Sequence, residues 1–237
     1  AVQQGHVKCI EVLKELGVDI NKSSADQRLP VHLAAMWGLP MCIRVLHDLG
    51  ADVTKSDDEN GWAAVHFAAQ EGHEDCIVTL RECGADLDQS NSYGWSALHF
   101  ASMEGHTNCI KVLHELGANV NKCTATGRSP VHFATQQKQT ECIKMLFALG
   151  ADVNKCDEEK GWHPVHLAVK QGHAECIEVL AEVGAEIDKT DNGGMTALHV
   201  AAEEGCDECI IVLHEFGADV NKRDKEGLTP VHAAADC

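Results

Sequence analysis

One unit is written again and again along this 237-residue chain. The stretches HLAAMWGLPMCIRVLHDLGADVTK (32–55), HFASMEGHTNCIKVLHELGANVNK (99–122) and HVAAEEGCDECIIVLHEFGADVNK (199–222) are variants of it, and it recurs every 33 or 34 residues. A period of this size specifies a stack of small supersecondary units rather than one compact globule. In such a stack each unit touches only its neighbours, and function sits on the surface they share. Three columns fix the register. The first is His32, His66, His99, His132, His166, His199 and His232. The second is Cys9, Cys42, Cys76, Cys109, Cys142, Cys176 and Cys209. The third is Gly17, Gly50, Gly84, Gly117, Gly150, Gly184 and Gly217.

Within the unit, Ser129-Pro130 and Thr229-Pro230 place a capping hydroxyl before a proline, a helix start. Gly72 and Gly105 stand where a left-handed residue closes that helix. Cys109, Ile110, Val112, Leu113 and Leu116 then line one face of a second helix, which Gly117 ends. No stretch alternates apolar and polar residues for long enough to predict a strand. Ser-Pro-Val-His at 129–132, Thr-Pro-Val-His at 229–232, Gly-His at 5–6, 72–73, 105–106 and 172–173, and Gly-Ala-Asp-Val-Asn at 150–154 and 217–221 resemble the ankyrin repeat family over the whole chain. The resemblance implies a helix, a tight turn, an antiparallel second helix and a hairpin-like loop in each unit. The expected class is all-α, an ankyrin-repeat solenoid of helix-turn-helix units with short hairpin loops. We place a partial repeat at 1–22, repeats at 23–55, 56–89, 90–122, 123–155, 156–189 and 190–222, and a partial repeat at 223–237, forming a single domain.

A longer period overlies the first: His32, His66 and His99 return 100 residues later at His132, His166 and His199. This predicts a duplicated block of three repeats presenting the same surface twice. The chain opens inside a first helix (Ala1 to His6) and closes after another (Ala233 to Cys237), so it is read as a piece of a longer repeat array. Locally softer segments are expected near 56–70, where Ala63-Ala64 lacks hydroxyl and proline, and near 135–140, where Lys138-Gln139 replaces the turn Gly-His. His163 likewise replaces the hydroxyl before Pro164.

The net charge of −18 disfavours a nucleic-acid backbone or an anionic membrane. No apolar run approaches the ~20 residues of a membrane-spanning helix. The acidic loops Asp57-Asp58-Glu59 and Asp157-Glu158-Glu159 have two open readings, a basic partner or a solvated surface. The twelve cysteines fit a reducing, cytoplasmic location. One thiol per repeat, spaced as packed helices are, provides neither a disulfide nor a four-ligand zinc site, so the column is expected to behave as small apolar residues. Cys206-Asp207-Glu208-Cys209 is read the same way, because no strand precedes it and no second pair lies near. Cys123 and Cys156, one unit apart, are read as plain small loop residues. The histidines carry no metal-binding spacing, and no catalytic set, phosphate loop or carboxylate pair recurs. No enzymatic activity, metal or cofactor, and no small-molecule substrate, is expected.

Columns that agree report folding; columns that vary report recognition. After the hairpin turn stand Arg28, Trp62, Trp95, Arg128, Trp162, Met195 and Leu228, with three of the four tryptophans in this one column. Trp, Arg and Met favour interfaces. In the family this position faces the concave surface where partners dock. Trp37, Tyr93 and Met103 are candidates on the same surface. Two roles are open for the indoles: contact with a partner, or staples between repeats. The expected function is a non-catalytic scaffold that binds an extended or helical segment of another protein, possibly basic, through this hairpin and first-helix surface. The alternative is the targeting or autoregulatory arm of a larger enzyme or channel.

Overall fold

The computed structural model describes residues 5–57 and 60–235. Asp58, Glu59 and the outermost residues of both expected terminal helices (1–4 and 236–237) lie outside the described residues. Among the described residues the regular structure is helical, with one isolated antiparallel bridge between Thr190 and Thr196. No helix there is long and apolar enough to cross a membrane.

Two compact units divide at 122/123. In the first, α1 (Val7–Glu15), α3 (Pro40–Asp48), α5 (Glu74–Glu82) and α7 (Thr107–Glu115) pack successively in one layer. The helices α2 (Pro30–Met36), α4 (Ala64–Gln70) and α6 (Ala97–Glu104) form the other. Each short helix pairs with the long helix that follows it. The second unit repeats this scheme. There α8 (Pro130–Gln136), α10 (Pro164–Lys170), α12 (Ala197–Glu203) and α14 (Pro230–Ala233) lie in one layer and α9 (Thr140–Ala148), α11 (Ala174–Glu182) and α13 (Asp207–Glu215) in the other.

The two layers bury different residue types for a physical reason. The short helices are rich in alanine (Ala34, Ala35, Ala68, Ala69, Ala101, Ala168 and Ala201 are fully buried), and small side chains let adjacent axes approach closely. The long helices fill the remaining space with a Cys-Ile-x-x-Leu triplet, seen as Cys76-Ile77-Leu80 and Cys142-Ile143-Leu146. The predicted face of α7 is narrower than expected. Cys109, Ile110 and Leu113 are buried, but Val112 and Leu116 are only half-buried, because the i+3 and i+7 positions rotate to its flank. Cys9 departs from its column and is exposed.

The helix starts differ from the sequence expectation. No cap hydroxyl bonds the helix backbone at Ser129 or Thr229. Instead the histidine three residues on does the work. His66 Nδ1 accepts the backbone N–H of Ala63 at 2.9 Å, and its Nε2–H donates to the carbonyl of Gln89 at 2.8 Å, in the loop after α5 where its repeat ends. His32 bonds Leu29 N–H and the Lys55 carbonyl in the same way, as does His166 with His163 N–H and the Met195 carbonyl. Accepting at Nδ1 and donating at Nε2 fixes the neutral tautomer. The cap hydroxyl is a satellite: Ser129 Oγ lies 2.9 Å from His132 Nδ1. Ala63 therefore lacks only the hydroxyl's contact with the imidazole and keeps the backbone cap, so the ground for expecting a soft 56–70 segment is weaker than the sequence implies. Burial drives His66, His132 and His166 down to about 4, against the weaker opposing pull of their carbonyl partners.

Lys138 takes the expected left-handed conformation (φ 57°). So does Gln27 (φ 57°), which stands where the other fingers have glycine and which the sequence reading passed over.

Candidate functional site

Each hairpin finger is closed by one side-chain oxygen. Asp157 Oδ1 accepts the N–H groups of Lys160 and Trp162, at 2.9 and 3.0 Å. Asp57, Asn91, Asp191 and Asp224 do the same, and Thr124 Oγ1 does it with a hydroxyl. At Ser24, Oγ accepts the Arg28 N–H. These Asx and ST turns compete well for loop backbone because the side chain mimics a turn carbonyl. They also aim the variable residue that follows. The sequence reading missed this column, although its regular Ser/Asp/Asn/Thr four or five residues before the variable position was visible.

The finding corrects the reading of the acidic loops. Asp157 is 2% exposed, so it is neither a solvated acid nor a lure for a basic partner. Burial alone would raise its carboxyl, but the two backbone N–H groups and then Arg128 hold it below the ordinary range. Glu158 and Glu159 are the exposed members of that loop.

In the first unit the variable column sits on an aromatic floor supplied by the short helices. The ring of Trp62 lies 4.2 Å from Phe100 and 5.1 Å from Phe67, centroid to centroid. Trp95 lies 5.4 Å from Phe100, and Tyr93 lies 6.3 Å from Trp95. Arg28 places its guanidinium 5.4 Å above Phe67 and reaches Met36 Sδ. Trp62, Trp95 and Arg28 are half-buried. Tyr93 and Trp37 are open to solvent, at 60% and 49%. Met103, near the end of α6, is half-buried. Trp62 thus bridges its own repeat to the next, which is the staple role of the two left open by the sequence, and its half-buried ring keeps a part on the surface.

The second unit does not reproduce this surface, which overturns the expected twofold presentation. Leu167 stands a hundred residues after Phe67 and Val200 after Phe100, so aliphatic side chains replace those two rings. Arg128 pairs with Asp157 at 3.5 Å. Trp162 stacks beside His166 (6.5 Å, 15°), carries Lys160 Nζ 4.5 Å over its ring, and donates Nε1–H to Asp191 at 3.3 Å. Further along, Met195 and Leu228, both half-buried, border a recess of about 320 Å³ with Gly193, Ala233 and three acids, Glu203, Asp224 and Glu226. Asp224 is committed to its own turn; Glu203 and Glu226 are exposed. The surface is aromatic in one unit and aliphatic-acidic in the other.

Among the described residues no group of three or more His, Cys, Asp or Glu could hold a metal ion. The turn histidines join repeats: His73 Nε2 contacts the Met36 carbonyl at 3.1 Å and His106 Nε2 that of Gln70 at 2.9 Å. No disulfide joins the described cysteines; Cys123 is half-buried and Cys156 exposed.

A family model described as ankyrin repeats in three copies matches residues 1–91, 66–157 and 149–224. Among solved structures, the crystal structure of the human ASB11 ankyrin repeat domain is similar, with a TM-score of 0.76 and 28% sequence identity, covering 87% of this chain and 92% of that one. No curated protein matches the sequence.

Proposed function

The chain belongs to the ankyrin repeat family, whose repeats are protein–protein interaction modules, and from that premise we propose that it is a binding scaffold whose finger and short-helix surface takes a basic segment of another protein. The observation that carries the reading is the recess beside Met195 and Leu228, where apolar walls meet the exposed carboxylates Glu203 and Glu226. A lysine or arginine suits such a place: its methylene stem lies along the aliphatic side chains while its head meets the acids. The first unit offers a complementary anchor in the exposed Tyr93 beside the half-buried Trp95. Aromatic anchors ringed by weaker contacts are the usual source of interface energy. A net charge of −18 raises the encounter rate with a basic segment and makes it salt-dependent.

Selection of a random displayed peptide library against the whole chain tests this. The account expects enriched peptides rich in Lys and Arg, with Glu203→Lys plus Glu226→Lys weakening the best binder at least about tenfold. Enrichment of acidic or uncharged peptides indifferent to both changes contradicts it.

A further inference from the structure

Position 206 breaks the column of turn histidines. His73 and His106 lay their imidazoles against Gly38 and Gly72, so that a Cβ on either glycine would meet the ring at 2.8 Å. Cys206 keeps the backbone of those histidines: its N–H donates to the Ala201 carbonyl at 3.0 Å, as the His106 N–H does to that of Ala101 at 2.9 Å. It lacks the ring, however, and nothing lies within 4 Å of the Cβ position on Gly172. The side chain turns inward instead. Cys206 is the N-cap of α13, Cys209 is the third residue of the helix, and their sulfurs stand 2.7 Å apart.

We propose that Cys206 and Cys209 form a reversible thiol–disulfide site. Helix geometry separates residues three apart by about 5 Å at Cα, inside the range a disulfide spans. The two thiols are not equivalent. Cys206 is half-buried, beside the space that an imidazole fills in other repeats. Cys209 is fully buried, and its thiol is pushed up to about 12, first by burial and then by its bond to Cys206. Cys206 therefore attacks first. Its thiolate, having given its proton to solvent, displaces one thiolate from a small disulfide RSSR and forms a mixed disulfide. Cys209 then loses its proton and attacks the Cys206 sulfur, expelling the second RS⁻. Both leaving groups take up protons, so two cysteine thiols are oxidised and RSSR is reduced to two RSH. Glu203, Glu204, Asp207 and Glu208 flank the pair in sequence and favour a neutral or cationic RSSR over an anionic one. The other buried column thiols at Cys76, Cys109 and Cys142 are pushed up to about 12 by burial, and none has a second sulfur in hydrogen-bond contact.

The test is peptide mapping of the folded chain after exposure to oxidised 2-mercaptoethanol, with and without later dithiothreitol. The proposal expects loss of two free thiols as a Cys206–Cys209 bridge that dithiothreitol reopens. It also expects Cys209→Ser to accumulate the mixed disulfide on Cys206, and Cys206→Ser to leave Cys209 unmodified. A wild-type chain that retains both thiols, or that stops at a mixed adduct on Cys206 as Cys209→Ser does, overturns it. Circular dichroism of each variant establishes that the fold under test is intact.

Discussion

The indole of Trp62 and the ring of Phe100, one repeat further on, lie 4.2 Å apart between centroids. This contact makes a surface residue part of the framework. Replacing Trp62 by Ala should cost about 2 kcal/mol, roughly half of what a fully buried Trp costs, because the ring is half-buried. Tyr93→Ala, at a 60% exposed position, should stay within about 0.5 kcal/mol. Urea unfolding of both variants checks the contrast, and equal midpoints would refute it.

The imidazole ladder predicts an acid limit. His66, His132 and His166 titrate near 4 when folded and near 6.5 when unfolded. Above pH 6.5 neither state binds the proton and the contribution is flat. As pH falls from about 6.5 to about 4 the unfolded state takes up protons first, so stability drops; below about 4 this loss levels off. Urea midpoints measured between pH 8 and 4 should be level down to about 6.5 and then decline. A midpoint that rises on acidification through that window would contradict the assignment.

Gln27 and Lys138 carry side chains at φ 57°. Substituting glycine at either should stabilise by about 1 kcal/mol through relief of left-handed strain, less the entropy glycine adds to the unfolded chain. Gly161→Ala should do the reverse by more than about 1 kcal/mol, since a Cβ there meets Asn192 Oδ1 at 2.5 Å and its backbone nitrogen at 2.9 Å in addition to φ 74°. Thermal melts of the three variants decide the signs.

Removing Arg128 leaves Asp157 buried without its cation. Arg128→Ala should destabilise by about 2 kcal/mol. Arg28→Ala, which gives up a cation–π contact with Phe67, should cost about 1 kcal/mol or less. Equal losses would mean that the two arginines share one role, as the 100-residue period alone suggests.

The fold was legible because each unit restates it. A helix start at Pro130, a left-handed close at Gly105 and a Cys-Ile-x-x-Leu stripe are local signals, and repetition removed their ambiguity. The site was legible only as a column. Sequence showed that Arg28, Trp62, Trp95, Arg128, Trp162, Met195 and Leu228 vary; it did not show what lies beneath them. That depends on residues 29 to 39 positions away, such as Phe67 under Arg28, Phe100 under Trp62 and Asp157 beside Arg128, and such pairings belong to the stack rather than to any one unit. The histidine's role was half visible. Its column fixed the register, but its capture of the preceding N–H was credited to serine and threonine hydroxyls. The Cys206–Cys209 pair was visible in sequence but was read as small apolar residues, because no strand precedes it; that the turn of α13 brings the two sulfurs together was not weighed.

The central claim is that recognition occurs on the finger and short-helix surface. Hydrogen exchange of the whole chain, alone and bound to the tightest basic peptide from the library, tests it directly. The account predicts slowed exchange in the finger and short-helix segments, residues 91–104 of the first unit or 191–204 and 224–229 of the second, with 107–115 and 174–182 unchanged. Protection confined to those long helices would contradict it.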